Sequence, residues 1–536
     1  MNRFVWAPLV CATVLCSACA WQAPQRYATG LTGPPPRLVV VLAIDQLRAD
    51  LLSRYAPEFL PANGPDGVGG FRYLVDQGTY YPLAEHRVLN PVTSAGHASL
   101  STGTWPADHG MVLNSWYDPV KRRKVYGVED IGMAHAGEAL KSPGHGRGPA
   151  NLRAPTLGDS LKEVSPQSKV VSISLKDRAA IAMAGRRADI ALWRSYWTKT
   201  WVSSHQYVKA LPEWVKAANV EAAKRATTKS VWEEPGKFRH EFTAKDYMWV
   251  ATPAANAVVA DMVERALDGM KLGQDATPDL LFVSLSSHDY TGHGKGIASP
   301  EMRAITLSDD ATIARILRAI ARRLPGGLAT VSVVLTGDHG VGAHPKEYDT
   351  TKVSAGYVDR KKLAKRLDDM ARMTLGTPPD PDGWVLATKD MHIYLNPKSV
   401  AGKTPDEVAG VEAAIARLAE QEPSVFRAFT SSDIRKGRLP GGVLGDVLKN
   451  SYVRGRSGNV IAVPKPNWLP RGATTHHWSA WSYDRYVPLI LAGKGIRRGR
   501  IPRIAPIVDV APTLAYLLGI VPPAMSRGKL LTEALQ

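Results

Sequence analysis

An α/β fold, with a central, mostly parallel sheet flanked by helices, is what this sequence predicts on three observations. First, the runs 37–44, 279–285 and 331–337 are short, continuous and rich in Val, Leu and Ile, the pattern of strands buried on both faces. Second, 254–268 and 299–324 have the period of amphipathic helices that could cover such a sheet. Third, each of the three runs is followed closely by an aspartate, Asp45, Asp289 and Asp338. Ligands of parallel sheets gather at the carboxyl ends of strands, so carboxylates placed there can converge across hundreds of residues.

The elements follow in order. Residues 1–20 read as an export signal: Arg3 supplies charge, Val5 to Cys16 is mostly apolar, and Ala18-Cys-Ala20 fits a small-x-small cleavage site. Lipid anchoring at Cys19 is the weaker reading, because Cys16 stands where a branched aliphatic is expected. All three cysteines, Cys11, Cys16 and Cys19, fall in this segment, leaving the mature chain no disulfide. Residues 21–36, with Gly33-Pro-Pro-Pro36, form a stiff linker. The core then occupies 37–343, with Lys169–Ser174 as a further strand and a Trp-rich insertion at about 179–250, where Trp193, Trp197 and Trp201 have helical spacing. Residues 344–467 are polar and Pro/Gly-interrupted, an inserted subdomain, and 468–536 returns to the core with a strand at 487–493 and a helix at 507–519 closed by Gly519.

Composition narrows the partners. The chain has 536 residues and a formal net charge of +18, but its Lys and Arg are scattered and no stripe alternates them with stacking aromatics, which argues against a nucleic-acid partner. A solvated basic surface that attracts small anions fits better. No later stretch is apolar enough to span a bilayer, so a periplasmic monomer without a transmembrane segment is expected.

Three bare carboxylates brought together need a compensating cation. His339 adjoins Asp338 and His293 lies four residues beyond Asp289, and mixed Asp and His donors suit zinc better than magnesium or calcium. Asp289, His293 and His476 would complete one three-ligand site, with His477 the competing imidazole, and Asp45, Asp338 and His339 a second. Two cations about 4 Å apart can clamp the attacking and leaving oxygens of a displacement at phosphorus. Thr93 and Ser94 open a small-residue helix, and either is an N-cap or a nucleophile facing an anion-binding helix end.

The series Ala43-Ile-Asp45-Gln-Leu-Arg48, Thr93-Ser-Ala-Gly-His97, Leu113-Asn114-Ser-Trp-Tyr-Asp118, Ser174-Leu-Lys-Asp-Arg178, Asp289-Tyr-Thr-Gly-His293, Thr336-Gly-Asp-His-Gly340 and Thr475-His476 resembles the alkaline phosphatase superfamily. Within it the match is to the phosphate-irrepressible, threonine-nucleophile enzymes of the PafA type. The resemblance implies an exported alkaline phosphatase with two Zn2+ per chain, hydrolysing small phosphate monoesters through a phosphothreonine. Thr93 would be the nucleophile and a ligand of the second metal with Asp45, Asp338 and His339. Asp289, His293 and His476 would hold the first metal, while Asn114, Lys176 and Arg178 would contact the phosphoryl oxygens. The Lys-x-Arg pair favours a dianionic monoester, since a diester carries less charge and leaves a cation unmatched. The alternatives are a phosphodiesterase or nucleotide pyrophosphatase of the same superfamily, and a catalytically silent metal- or phosphate-binding protein. The chain departs from the pattern at Ala184-Gly-Arg-Arg187, where relatives often continue Ala-Gly-His.

Overall fold

The computed structural model describes residues 33–349 and 353–536. Residues 1–32, which hold the expected export signal, the three cysteines and most of the expected linker, lie outside them. In chain order the principal strands are β1 (Leu38–Ile44), β2 (Gly78–Glu85), β3 (Val170–Ser174), β4 (Ile190–Arg194), β5 (Trp201–Ser204), β6 (Asp279–Leu285), β7 (Val331–Gly337) and β8 (Tyr486–Gly493). The principal helices are α1 (Thr93–Thr102), α2 (Asp177–Ala184), α3 (Pro253–Gly269), α4 (Ser287–Lys295), α5 (Pro300–Arg323) and α6 (Val510–Leu518).

These strands form one sheet in the order β2-β8-β7-β1-β6-β3-β4-β5, extended at both edges by two-residue strands. The run β7-β1-β6-β3-β4 is parallel, whereas β8 is antiparallel to both its neighbours and β5 to β4. Alternate residues of β1 enter two different cores. Leu38, Val40, Leu42 and Ile44 pack with α3 and α5 residues such as Val259 and Ile316, and Val39, Val41 and Ala43 pack with α6 residues such as Leu514. Burial on both faces is why these strands read as unbroken apolar runs.

The register positions the site. Ile44 at the end of β1 pairs with Leu285 of β6 and with Gly337 of β7, and Ser284 pairs with Ser174 of β3. The next few residues of all four strands therefore emerge side by side, and they include Asp45, Lys176, Asp289 and Asp338.

The Trp-rich stretch differs from expectation. β4 and β5 belong to the central sheet, so 179–250 is only partly an excursion. Trp193 and Trp201 are buried strand residues on facing arms of an antiparallel turn, Arg194 pairing with Trp201, and Trp197 is exposed between them. A spacing of four that spans a hairpin imitates a helical stripe without being one. Beyond it come a helix at Glu213–Arg225 and a hairpin of Ser230–Glu234 with Phe238–Phe242. Within 344–467, an antiparallel sheet of Val385–Lys389, His392–Leu395, Val425–Thr430 and Val460–Pro464 packs on the helices Arg360–Leu375 and Pro405–Glu420 around its own apolar core. Among the described residues no helix is long and apolar enough to cross a membrane.

Candidate active site

Asp45 leaves β1 at a backbone kink. The next residue, Gln46, has a positive φ of 71°, and that turn lets its N–H donate to Asp338 Oδ1 (2.9 Å) and its Nε2 to Asp289 Oδ1 (2.8 Å). Gln46 thus braces two of the three strand-end aspartates. It stands within the Ala43–Arg48 motif, but a glutamine after a strand carries no signal of its own in the sequence.

Asp45, Asp338 and His339 are fully buried and converge. His339 Nε2 is 3.4 Å from Asp45 Oδ1 and 3.2 Å from Asp338 Oδ2, yet none of these three atoms has a hydrogen-bond partner among the described residues. Burial raises the Asp338 carboxyl well above the usual range and the negative charge of Asp45 adds to it. Burial is the largest influence on Asp45 and opposes its ionisation, but the Lys176 ammonium and His339 together outweigh it and hold that carboxyl far below its ordinary value. Buried donor and acceptor atoms that crowd together and find no hydrogen-bond partner among the described residues are a condition that a divalent cation relieves. This donor set fits a metal.

The second cluster lies alongside. Asp289 Oδ1 is 3.1 Å from His293 Nε2 and 3.4 Å from His477 Nε2, and the two imidazole nitrogens are 3.2 Å apart. The His477 ring stacks on that of His339 at 3.5 Å between centroids, joining the clusters. Two groups of buried side chains bring metal-ligating atoms within 4.8 Å of one another, Asp45 with Asp338 and His339, and Asp289 with His339 and His477. Burial lowers the His477 pKa to about 3, aided by the neighbouring charge of His339, so its imidazole is neutral with a lone pair to offer.

His477, rather than the expected His476, is the imidazole turned to Asp289. His476 is only half-buried, and its Nδ1 lies 3.2 Å from the carbonyl of His477. Adjacent side chains of a non-helical segment point apart, so one of the pair had to face away. His477 Nδ1 is further fixed at 2.9 Å from the Pro91 carbonyl, and Asp484 Oδ2 accepts from the N–H groups of Trp478 (3.1 Å) and Ser479 (2.9 Å) just beyond.

Helix α1 approaches from the other side. It begins at Thr93, after Val92 in extended backbone, and no side chain of its own caps it, so the N-cap reading of Thr93 and Ser94 does not hold. Asn114 Oδ1 instead accepts from the Ser94 N–H (2.9 Å). The helix packs so closely that a Cβ at Gly96 would collide with the Asp338 carbonyl, which is what glycine is needed for there. His97 ties it down, with Nδ1 2.9 Å from the Thr93 carbonyl and Nε2 3.0 Å from Ser284 Oγ. The Thr93 hydroxyl faces Arg178, whose Nη2 is 3.5 Å away, whereas Ser94 Oγ lies toward Gly127 and has no partner among the described residues.

Lys176 and Arg178 flank the start of α2. The buried Lys176 ammonium sits 2.5 Å from both Asp45 Oδ2 and Asp289 Oδ2, and these carboxylates overcome burial to raise its pKa. A cleft of about 390 Å³ opens over Asn114, Arg178, Asp289, His293 and His477, and Arg360, Lys389 and Asp390 of the 344–467 region form its far wall. The structure therefore gathers Asp45, Thr93, Asn114, Lys176, Arg178, Asp289, His293, Asp338 and His339 at one place, with His476 at the margin.

Residues 39–484 match the family model of the type I phosphodiesterase / nucleotide pyrophosphatase, and the chain belongs to that family. Within it the chain is alkaline phosphatase-like, of the PafA type. It is 29% identical over 537 residues to alkaline phosphatase PafA of Elizabethkingia meningoseptica, covering 94% of this chain and 95% of the relative. It is 31% identical to alkaline phosphatase PhoD of Zymomonas mobilis, over 90% of this chain and 85% of the relative. The crystal structure of wild-type alkaline phosphatase PafA superposes with a TM-score of 0.84 at 28% identity, covering 94% of this chain and all of that one.

Proposed function

We propose that this protein is an exported phosphate monoesterase of the alkaline phosphatase type that uses Thr93 as its nucleophile and two zinc ions as cofactors. Asp45, Asp338 and His339, together with Thr93 Oγ, would hold one ion, and Asp289, His293 and His477 the other. Bound zinc would supply the positive charge that makes a hydroxyl a competent nucleophile and stabilises oxyanions during displacement. With both sites filled, the carboxylates of Asp45 and Asp289 would each be engaged by their own ion, and the Lys176 ammonium between them would be free to meet an anion.

The residues then divide the work. Thr93 gives up its hydroxyl proton and its Oγ forms a bond to phosphorus as the P–O bond to the alcohol breaks on the opposite side; the alcohol leaves carrying a proton, and a phosphothreonine remains. Arg178, Lys176 and Asn114 hold the terminal oxygens, where charge is greatest in the loose transition state. Water hydrolyses the phosphothreonine, restoring the Thr93 hydroxyl and releasing inorganic phosphate with net retention. The start of helix α1, where the Ser94 N–H is already taken by Asn114, would turn its positive dipole end to the same anion.

The observation that carries the reading is the facing of the Thr93 hydroxyl by the Arg178 guanidinium at the rim of two buried Asp/His clusters. A second reading, phosphodiester or pyrophosphate hydrolysis, is favoured by the family match over 39–484. Metal analysis of the purified protein, paired with rates on an aryl phosphate and its methyl diester, separates them. Two zinc equivalents and a strong monoester preference are expected; a diester preference would replace the first reading by the second. Export is tested by amino-terminal sequencing of the periplasmic form, expected to begin after Ala20.

A further inference from the structure

A second hollow, of about 330 Å³, adjoins the catalytic cleft and shares Arg178, Tyr247 and Tyr290 with it. Its wall carries cations that other residues of the site do not neutralise. Arg147 pairs with Asp177 and Lys176 with Asp45 and Asp289. Arg194 and Lys199 have no carboxylate partner among the described residues; Arg194 spends one nitrogen on the Ala244 carbonyl (2.7 Å) and lies over Trp249, and Lys199 lies over Tyr196. Burial pushes the Arg194 pKa down to about 10, and burial together with the Arg194 charge lowers that of Lys199. Two cations that line one hollow without a carboxylate partner disfavour each other's charge, which an anion bound in that hollow would reverse. The acids on the same wall are occupied: Glu138 accepts from Ser195 and faces His135 at 3.1 Å, and Asp246 accepts from the Thr243 N–H (2.6 Å). Tyr196, Trp197 and Tyr247 stand exposed at the mouth.

We infer that this hollow receives a second phosphate group carried by the substrate's own alcohol, so that bisphosphorylated alcohols are preferred to simple monoesters. The inference rests on the monoesterase reading: with the reacting phosphoryl group at Thr93 and Arg178, a leaving group extending past Tyr290 reaches Arg194 and Lys199. The aromatic mouth would cover its carbon chain or ring.

The test is a series of α,ω-alkanediol bisphosphates of increasing length against the alkyl monophosphates of matching length. In the parent enzyme, kcat/KM for at least one bisphosphate should exceed its partner's by about tenfold, beyond the twofold expected from having two equivalent ends. Lys199→Ala and Arg194→Gln should each erase most of that advantage and leave phenyl phosphate hydrolysis within about twofold of the parent. Lys199 is the more superficial side chain, so its variant reads out even where Arg194→Gln fails to fold. Equal rates for the two substrate classes at every length would overturn the inference, as would an advantage that survives Lys199→Ala, since general attraction by a basic surface would then explain it. No hydrolysis of phenyl phosphate by the parent would instead overturn the function on which it rests.

Discussion

Replacing Arg178 by alanine separates the two readings of the site by a calculable margin. In the structure the guanidinium makes only long contacts, 3.5 Å from Nη2 to Thr93 Oγ1 and 3.4 Å from Nη1 to the Tyr126 hydroxyl, and its Nε has no partner among the described residues. Tyr126 keeps its stronger bond to Asp177 (2.6 Å), and Asp177 keeps Arg147. Folding should therefore lose little, within about 1 kcal/mol. The loss falls on the bound phosphoryl group. Two charge-assisted hydrogen bonds at about 1.5–3 kcal/mol each come to about 3–6 kcal/mol, or roughly 10²–10⁴ in kcat/KM for a dianionic monoester. A methyl diester presents one terminal oxygen fewer and less charge, so its loss should stay near tenfold. Steady-state kinetics on an aryl phosphate and its methyl ester, with circular dichroism to verify folding, reads both. Equal losses on the two substrates would refute the claim that Arg178 selects monoesters.

Two further outcomes follow from other parts of the molecule. His477→Ala should lose one zinc equivalent by elemental analysis and lower activity by roughly tenfold or more, while His476→Ala keeps both equivalents; the reverse result would return the ligand role to His476. Asp309 is buried in helix α5, where burial and the charge of Asp310 raise its pKa well above the usual range, although Asn256 donates to it at 2.6 Å. A raised folded-state pKa means the unfolded chain releases this proton first, so stability is present below about pH 4 and falls as pH rises through the folded value. Asp309→Asn should then stabilise the protein by about 1–3 kcal/mol at pH 8 and hardly at all at pH 4, measured by denaturant titration at both.

The parallel sheet was legible because burial on both faces writes itself as unbroken Val, Leu and Ile, and the strand-end aspartates marked where ligands gather. The charged members of the candidate site converge for the same reason: Asp45 and Asp338 follow paired strands whose register forces them together. What the sequence hid depends on side-chain direction and on partners distant in the chain. His476 and His477 differ only in which way a non-helical backbone turns them. Gln46 acts through a left-handed φ that no motif announces. Trp193, Trp197 and Trp201 were spaced like a helix, but the pairing of β4 with β5 decided otherwise. Ser94 stands next to Thr93 in the sequence, and only the helix axis shows one hydroxyl set toward Arg178 and the other toward Gly127.

The central claim is that the Thr93 oxygen takes the phosphoryl group. Acid-quenching the enzyme during turnover of an aryl phosphate, then mapping phosphopeptides by mass spectrometry, tests it most directly. Phosphate on Thr93, absent from Thr93→Ala, is the expected result; phosphate on Ser94, or undiminished turnover by Thr93→Ala, would contradict the account.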